Sequence, residues 1–122
     1  MSHLNPFSAE ERMQAMVEAA FRASRSHFSH LPIRFVIDPP VDMLDAALAR
    51  QVAIHVLMVQ FQIPRRRVMV LLSVGRTMVG QAVRTVDYRR DEPVFERTYR
   101  AIAARANDLF MTALNEAVED AA

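Results

Sequence analysis

Apolar residues recur at three- and four-residue intervals along most of this chain, and that spacing is helical rather than strand-like. Met13, Met16, Val17, Ala20 and Phe21 form one such stripe. Leu44, Leu48, Val52, Val56 and Val59 form a second. Phe95, Tyr99, Ile102, Ala106, Leu109, Phe110, Ala113 and Ala117 form a third. The intervening punctuation sets the boundaries. Ser8 followed by Glu11 reads as a capping box opening a helix over 9–25. The next position on that stripe is Ser24, so the apolar face is expected to fade before the helix ends. Ser26 to Pro32 breaks the pattern, 33–37 reads as a short strand without a partner, and Asp38-Pro39-Pro40 starts a helix over about 41–61. Ile63-Pro64 restarts the chain into a short helix over 65–72, with Val68, Leu71 and Leu72 inward. Ser73-Val74-Gly75 is a tight turn, 76–90 the next helix, Asp91-Glu92-Pro93 a break, and 94–120 the last helix. Five helices with short connections predict an all-α bundle, and 122 residues suit a single domain.

Composition removes several chemistries. With no cysteine, disulfides, thiolate metal sites and thiol nucleophiles are excluded, and a reducing cytoplasm is expected. Two glycines do not make a phosphate-cradling loop. No apolar run approaches the roughly 20 residues of a membrane span, and no signal peptide opens the chain. His27 and His30 are three apart, but no acid or further histidine lies near them in sequence, so a solvated loop is expected and no metal. His55, alone on an apolar helix, reads as a core or boundary histidine. No pair of catalytic groups converges in the sequence, so an enzyme is not expected and no cofactor is implied.

The charge is unevenly placed. All 15 basic residues are arginine. Residues 1–49 carry 4 Arg against 6 acids, residues 50–90 carry 8 Arg against Asp87 alone, and residues 91–122 carry 3 Arg against 7 acids. A basic centre between acidic flanks is an electrostatic footprint for a polyanion.

The basic centre holds a helix-turn-helix pattern over about 64–90. In its second helix Val79, Ala82, Val83 and Val86 share one side, while Thr77, Gly80, Gln81 and Arg84 share the other. The outward side is short, polar and cationic, as a helix entering a major groove requires. Gly80 permits close backbone approach, Gln81 can read adenine, and Arg76 or Arg84 can read guanine or hold phosphate. Arg65, Arg66 and Arg67 open the first helix of the pair, where they oppose the helix macrodipole, and they suit phosphate contact.

Two stretches in this region resemble the C-terminal DNA-binding domain of the bacterial replication initiator DnaA. Ala49-Arg50-Gln51-Val52-Ala53-Ile54-His55-Val56 is similar to that family's A-R-Q-[IV]-A-M-Y-L helix. Gly75-Arg76-Thr77-Met78-Val79-Gly80-Gln81-Ala82 lies where the family has D-H-T-T-V-x-H-A, and 49–79 aligns without gaps. Val86 to Phe95 is similar to the family's charged helix end followed by D-P. The resemblance spans about 44–104. It implies a DNA-binding core over 41–104, an N-terminal extension over 1–40 and an extended last helix over 105–122. It also implies that Arg50 supports DNA binding from the preceding helix and that Arg76, Thr77 and Met78 fall at base-reading positions. With the outward-side reading, Arg76, Thr77, Met78 and Gln81 are expected to approach base edges, and Arg50 and Arg84 to join Arg65, Arg66 and Arg67 on phosphates. Thr77 is kept; the family's His, second Thr and Asp are Arg76, Met78 and Gly75 here. These changes bear on the initiator's own box sequence rather than on the docking mode.

The chain lacks the initiator's nucleotide-hydrolysing module and any G-x-x-x-x-G-K-[ST]. The expected function is therefore a stand-alone, nucleoid-associated transcription regulator, an activator or co-activator of the kind that acts on gene transfer agents. The alternatives are a replication regulator at origin boxes and a protein-interaction module with a degenerate helix-turn-helix. The tail from Leu109 to Val118 is apolar over more than one face. It either packs on the first helix or docks a second copy or another protein partner.

Overall fold

Five α-helices make up most of the described residues of the computed structural model, which are 4–28, 37 and 44–121. The first, α1 (Ala9–His27), starts at Ser8, whose Oγ accepts the Glu11 N–H at 3.2 Å. Glu11 does not reach back to the cap residue. Its carboxylate accepts the Asn5 N–H at 3.1 Å, so the second half of the expected capping box instead ties down the turn before the helix. Ser24 does not end the buried face. It is fully enclosed, and its Oγ donates to the Ala49 carbonyl at 2.6 Å. A hydroxyl belongs in a core when its hydrogen bond is made there, and α1 accordingly runs to His27.

Helix α2 (Leu44–His55) is largely buried: Ala46, Ala49, Val52, Ala53, Ile54 and His55 are all within 1 % of complete enclosure, and Ala47, Leu48, Arg50 and Gln51 are half-buried. A helix with no fully exposed residue from Ala46 to His55 is a central element of its fold. It packs against α1 on one side and α4 (Arg76–Arg89) on another. After His55 the backbone widens into a π turn, Val56–Gln60, closed by the Phe61 N–H to the Val56 carbonyl at 3.0 Å. A turn closed over five residues instead of four winds less per residue, so positions within it drift off the stripe expected at α pitch. Val59, expected on the core stripe, is for that reason 43 % exposed, while Leu57 is buried in its place. Gln62, at φ 55°, ends the turn in the left-handed region.

Helix α3 (Arg65–Leu72) buries Val68 and half-buries Leu71 and Leu72. Ser73 takes the left-handed conformation at φ 54°, and the Val74 N–H returns to the Met69 carbonyl at 3.1 Å. This closes the helix end as a glycine would. Helix α5 (Pro93–Ala121) begins with proline in its first turn and with Glu92 as its cap. The Glu92 carboxylate accepts the Val94 and Phe95 N–H groups at 3.0 and 2.7 Å, and these bonds hold its pKa below the ordinary value. Helix α5 lies along α1 and buries Tyr99, Ile102, Ala106, Phe110 and Ala117, so the extended tail packs into the bundle. Met111 and Val118 remain exposed on it.

Among the described residues there is no strand. Of the stretch expected to be one, Ile37 has helical backbone, and 33–36 lie outside the described residues. The expected helix start at 41 and His30 also lie outside them. No helix among the described residues is long and apolar enough to cross a membrane.

Candidate nucleic-acid interface

Helices α3 and α4 are joined by the three residues Ser73, Val74 and Gly75, and α4 separates its residues by side. Val79, Ala82 and Val86 are completely buried, and Val83 is half-buried. Arg76, Thr77, Met78, Gln81 and Arg84 are exposed. Five of the sequence-predicted contact residues thus share one helix whose opposite side is fixed in the core. Tyr88, four residues beyond Arg84 and on the same outer side, is 80 % exposed and extends that surface.

The two glycines play different parts. Gly75 precedes α4 at φ −82°, where a side chain would meet nothing within 4 Å, so neither backbone freedom nor space requires glycine there. At Gly80 a Cβ would stand 3.2 Å from an Arg84 guanidinium nitrogen. The guanidinium of Arg84 therefore lies back over the gap that Gly80 leaves.

The expected phosphate contacts are less uniform. Arg65 and Arg66 are exposed at the start of α3. Arg67 is half-buried and paired with Glu10 of α1. Arg50, also half-buried, lines a groove of about 360 Å³ with Phe21 of α1 and with Leu71 and Leu72 of α3. The structure places Arg50 between helices, in a different setting from the exposed residues of α4.

Beneath the C-terminal end of α4 lies a polar cluster that sequence reasoning missed. His55 is fully buried; its Nε2 is 2.6 Å from Asp87 Oδ1 and its Nδ1 2.6 Å from the Tyr99 hydroxyl. A carboxylate can only accept, so Nε2 carries the proton and Nδ1 accepts from the Tyr99 O–H. The Tyr99 oxygen in turn accepts from Gln60 Nε2 at 3.4 Å. Burial pushes the His55 pKa below its ordinary value against the opposing pull of Asp87, which suits this neutral ring. Burial likewise raises the Tyr99 pKa. Arg90 stacks its guanidinium 4.3 Å from the centre of the Tyr99 ring and donates to both Glu96 oxygens at 2.8 and 3.2 Å. That pairing raises the Arg90 pKa and lowers that of Glu96. His55 was legible as a core histidine. Its partners stand 32 and 44 residues away, and the one signal was that Asp87 is the lone acid of the basic segment.

No group of three potential metal ligands occurs among the described residues. His27 is exposed, with Nδ1 3.3 Å from both Ser26 Oγ and the Ala23 carbonyl. Comparison with protein families, curated proteins and solved structures found no match to this chain.

Proposed function

We propose that this chain is a sequence-specific reader of double-stranded DNA that regulates transcription, with α4 as its recognition helix. In this reading it acts as an activator or co-activator beside a protein partner. The observation that carries it is the division of α4. Val79, Ala82 and Val86 are anchored in the core, while Arg76, Thr77, Met78, Gln81 and Arg84 face solvent on the most basic segment of the chain. A rigidly seated helix with exposed Arg, Gln and Thr after a three-residue turn has the form and chemistry for major-groove entry. Arg76, Thr77, Met78 and Gln81 approach base edges. Arg65, Arg66 and Arg84 hold phosphates, with Arg50 and Arg67 contributing where their interhelical settings allow. The exposed Met111 and Val118 on α5 favour a docking role for the last helix alongside DNA binding.

The test is capture of sheared genomic DNA on the pure protein at about 150 mM salt, where weak non-specific binding is largely suppressed. Sharp peaks at promoters are expected. Arg76→Ala should cost about 1–3 kcal/mol at the base pair it reads. Peaks confined to the replication origin would favour a replication regulator. A flat profile would overturn DNA reading by this chain alone and favour a protein-interaction module.

A further inference from the structure

Four side chains close a ring beneath the C-terminal end of α4. Asp87 bonds His55, His55 bonds Tyr99, Tyr99 carries the Arg90 guanidinium on its ring face, and Arg90 stands three residues after Asp87 on the same turn of backbone. One attachment from α4, one from the residue that caps it, one ring from α2 and one from α5 meet there, and Glu96 fixes Arg90 from a second side. Asp87 is itself exposed and reaches the core only through its bond to His55. The core-facing side of α4 is Val79, Ala82 and Val86 with Val83 half-buried, small apolar groups that resist sliding and rolling only by contact. Directional bonds at 2.6 Å resist both.

We infer that the Asp87–His55–Tyr99–Arg90 ring is a positioning device that sets the roll of α4, and with it the specificity of base reading. The inference rests on the DNA-reading proposal above. A roll of about 20° on a helix of about 5–6 Å radius displaces its surface groups by roughly 2 Å, enough to break a hydrogen bond to a base edge. Phosphate contacts made by long arginines tolerate such a shift. The ring is thus expected to govern discrimination between sequences more than total affinity. Its placement also gives a use for an acid in the basic segment: Asp87, though its side chain is 59 % exposed, is tied through Oδ1 to the core histidine.

Asp87→Asn and Asp87→Ala separate the roles, because both remove the same charge but only asparagine keeps an acceptor for His55 Nε2–H. Both should tighten binding to a random duplex to a similar degree. The ratio of specific to random affinity cancels that common effect. The expected result is a ratio within about threefold of the parent for Asp87→Asn. For Asp87→Ala it should fall tenfold or more, spread over all read base pairs. Tyr99→Phe, which keeps the ring under Arg90 but removes the hydroxyl, should reproduce the loss in part and serves if Asp87→Ala does not fold. Equal ratios for the two Asp87 variants would overturn the inference. So would a loss confined to one base pair, which would make Asp87 a direct contact. A parent protein with no preference among duplexes would instead remove the DNA-reading proposal on which the inference stands.

Discussion

Replacing Tyr99 by Phe isolates one hydroxyl in the core. The phenyl ring keeps its volume, so no cavity opens, and Arg90 keeps an aromatic face to stack on. What disappears is the donor to His55 Nδ1 and the acceptor for Gln60. Gln60 is exposed and turns to water at little cost. His55 is completely enclosed, so its Nδ1 becomes a buried acceptor without a donor, a loss of about 1–3 kcal/mol. With an unfolding entropy of about 2.1 cal/mol/K per residue, a chain of 122 residues melts about 4 °C lower for each kcal/mol lost. Tyr99→Phe should therefore lower the melting temperature by about 8 °C, for a central cost of about 2 kcal/mol. Thermal unfolding followed by circular dichroism at pH 7.5 reads this directly. A drop of under about 2 °C would mean that the His55–Tyr99 bond contributes nothing beyond the packing of the rings.

The remaining predictions concern pH and the recognition surface. The His55 pKa is depressed in the folded state, so the unfolded chain takes up a proton first as the pH falls. Stability from this group is complete above about pH 6.5 and declines as pH drops through the folded value. Melts between pH 7.5 and 5.5 should show this decline. Asp87→Asn, which removes a group that raises the His55 pKa, should extend it to lower pH, and a flat wild-type profile would contradict the neutral buried ring. Gly80→Ala should stabilise the fold by about 0.5–1 kcal/mol in denaturant titrations, because the exposed Arg84 guanidinium can shift by the few tenths of an ångström required. The same substitution should weaken duplex binding, and unchanged binding would show that α4 is not approached at Gly80. Arg66→Ala should weaken binding to all sequences alike and reduce the slope of log affinity against log salt by about 1. An unchanged slope would exclude Arg66 from phosphate contact.

Periodicity was sufficient for the helices because their buried sides are long. The stripe from Phe95 to Ala117 is the side of α5 turned to the bundle, and 65–72 has the expected limits. Periodicity misread positions where a polar group is satisfied at a distance. Ser24 looks like the end of a face until the Ala49 carbonyl is placed opposite it. Val59 fails because the expectation assumed uniform pitch, whereas Val59 lies inside the widened turn. On the candidate interface, the two sides of α4 follow from spacing alone. The pairing of Arg67 with Glu10 and the interhelical setting of Arg50 do not, since both depend on where the tertiary fold brings α1 relative to α3. The ring around His55 was beyond reach for the same reason: its members are brought together by three different helices.

The π turn at Val56–Gln60 amounts to one surplus residue wound into an otherwise regular rod. Loss of a single codon there would let the turn close at ordinary pitch and return Phe61 to nearly the same place, because the widened turn is what absorbs the surplus residue. Phe61 would then keep its edge contact with Phe110, now 5.6 Å between ring centres, whereas a deletion within Leu44–His55 would swing every later helical residue by about 100°. Length is thus under looser constraint within these five residues than in the regular helix before them, and a one-residue deletion should be better tolerated there than in Leu44–His55.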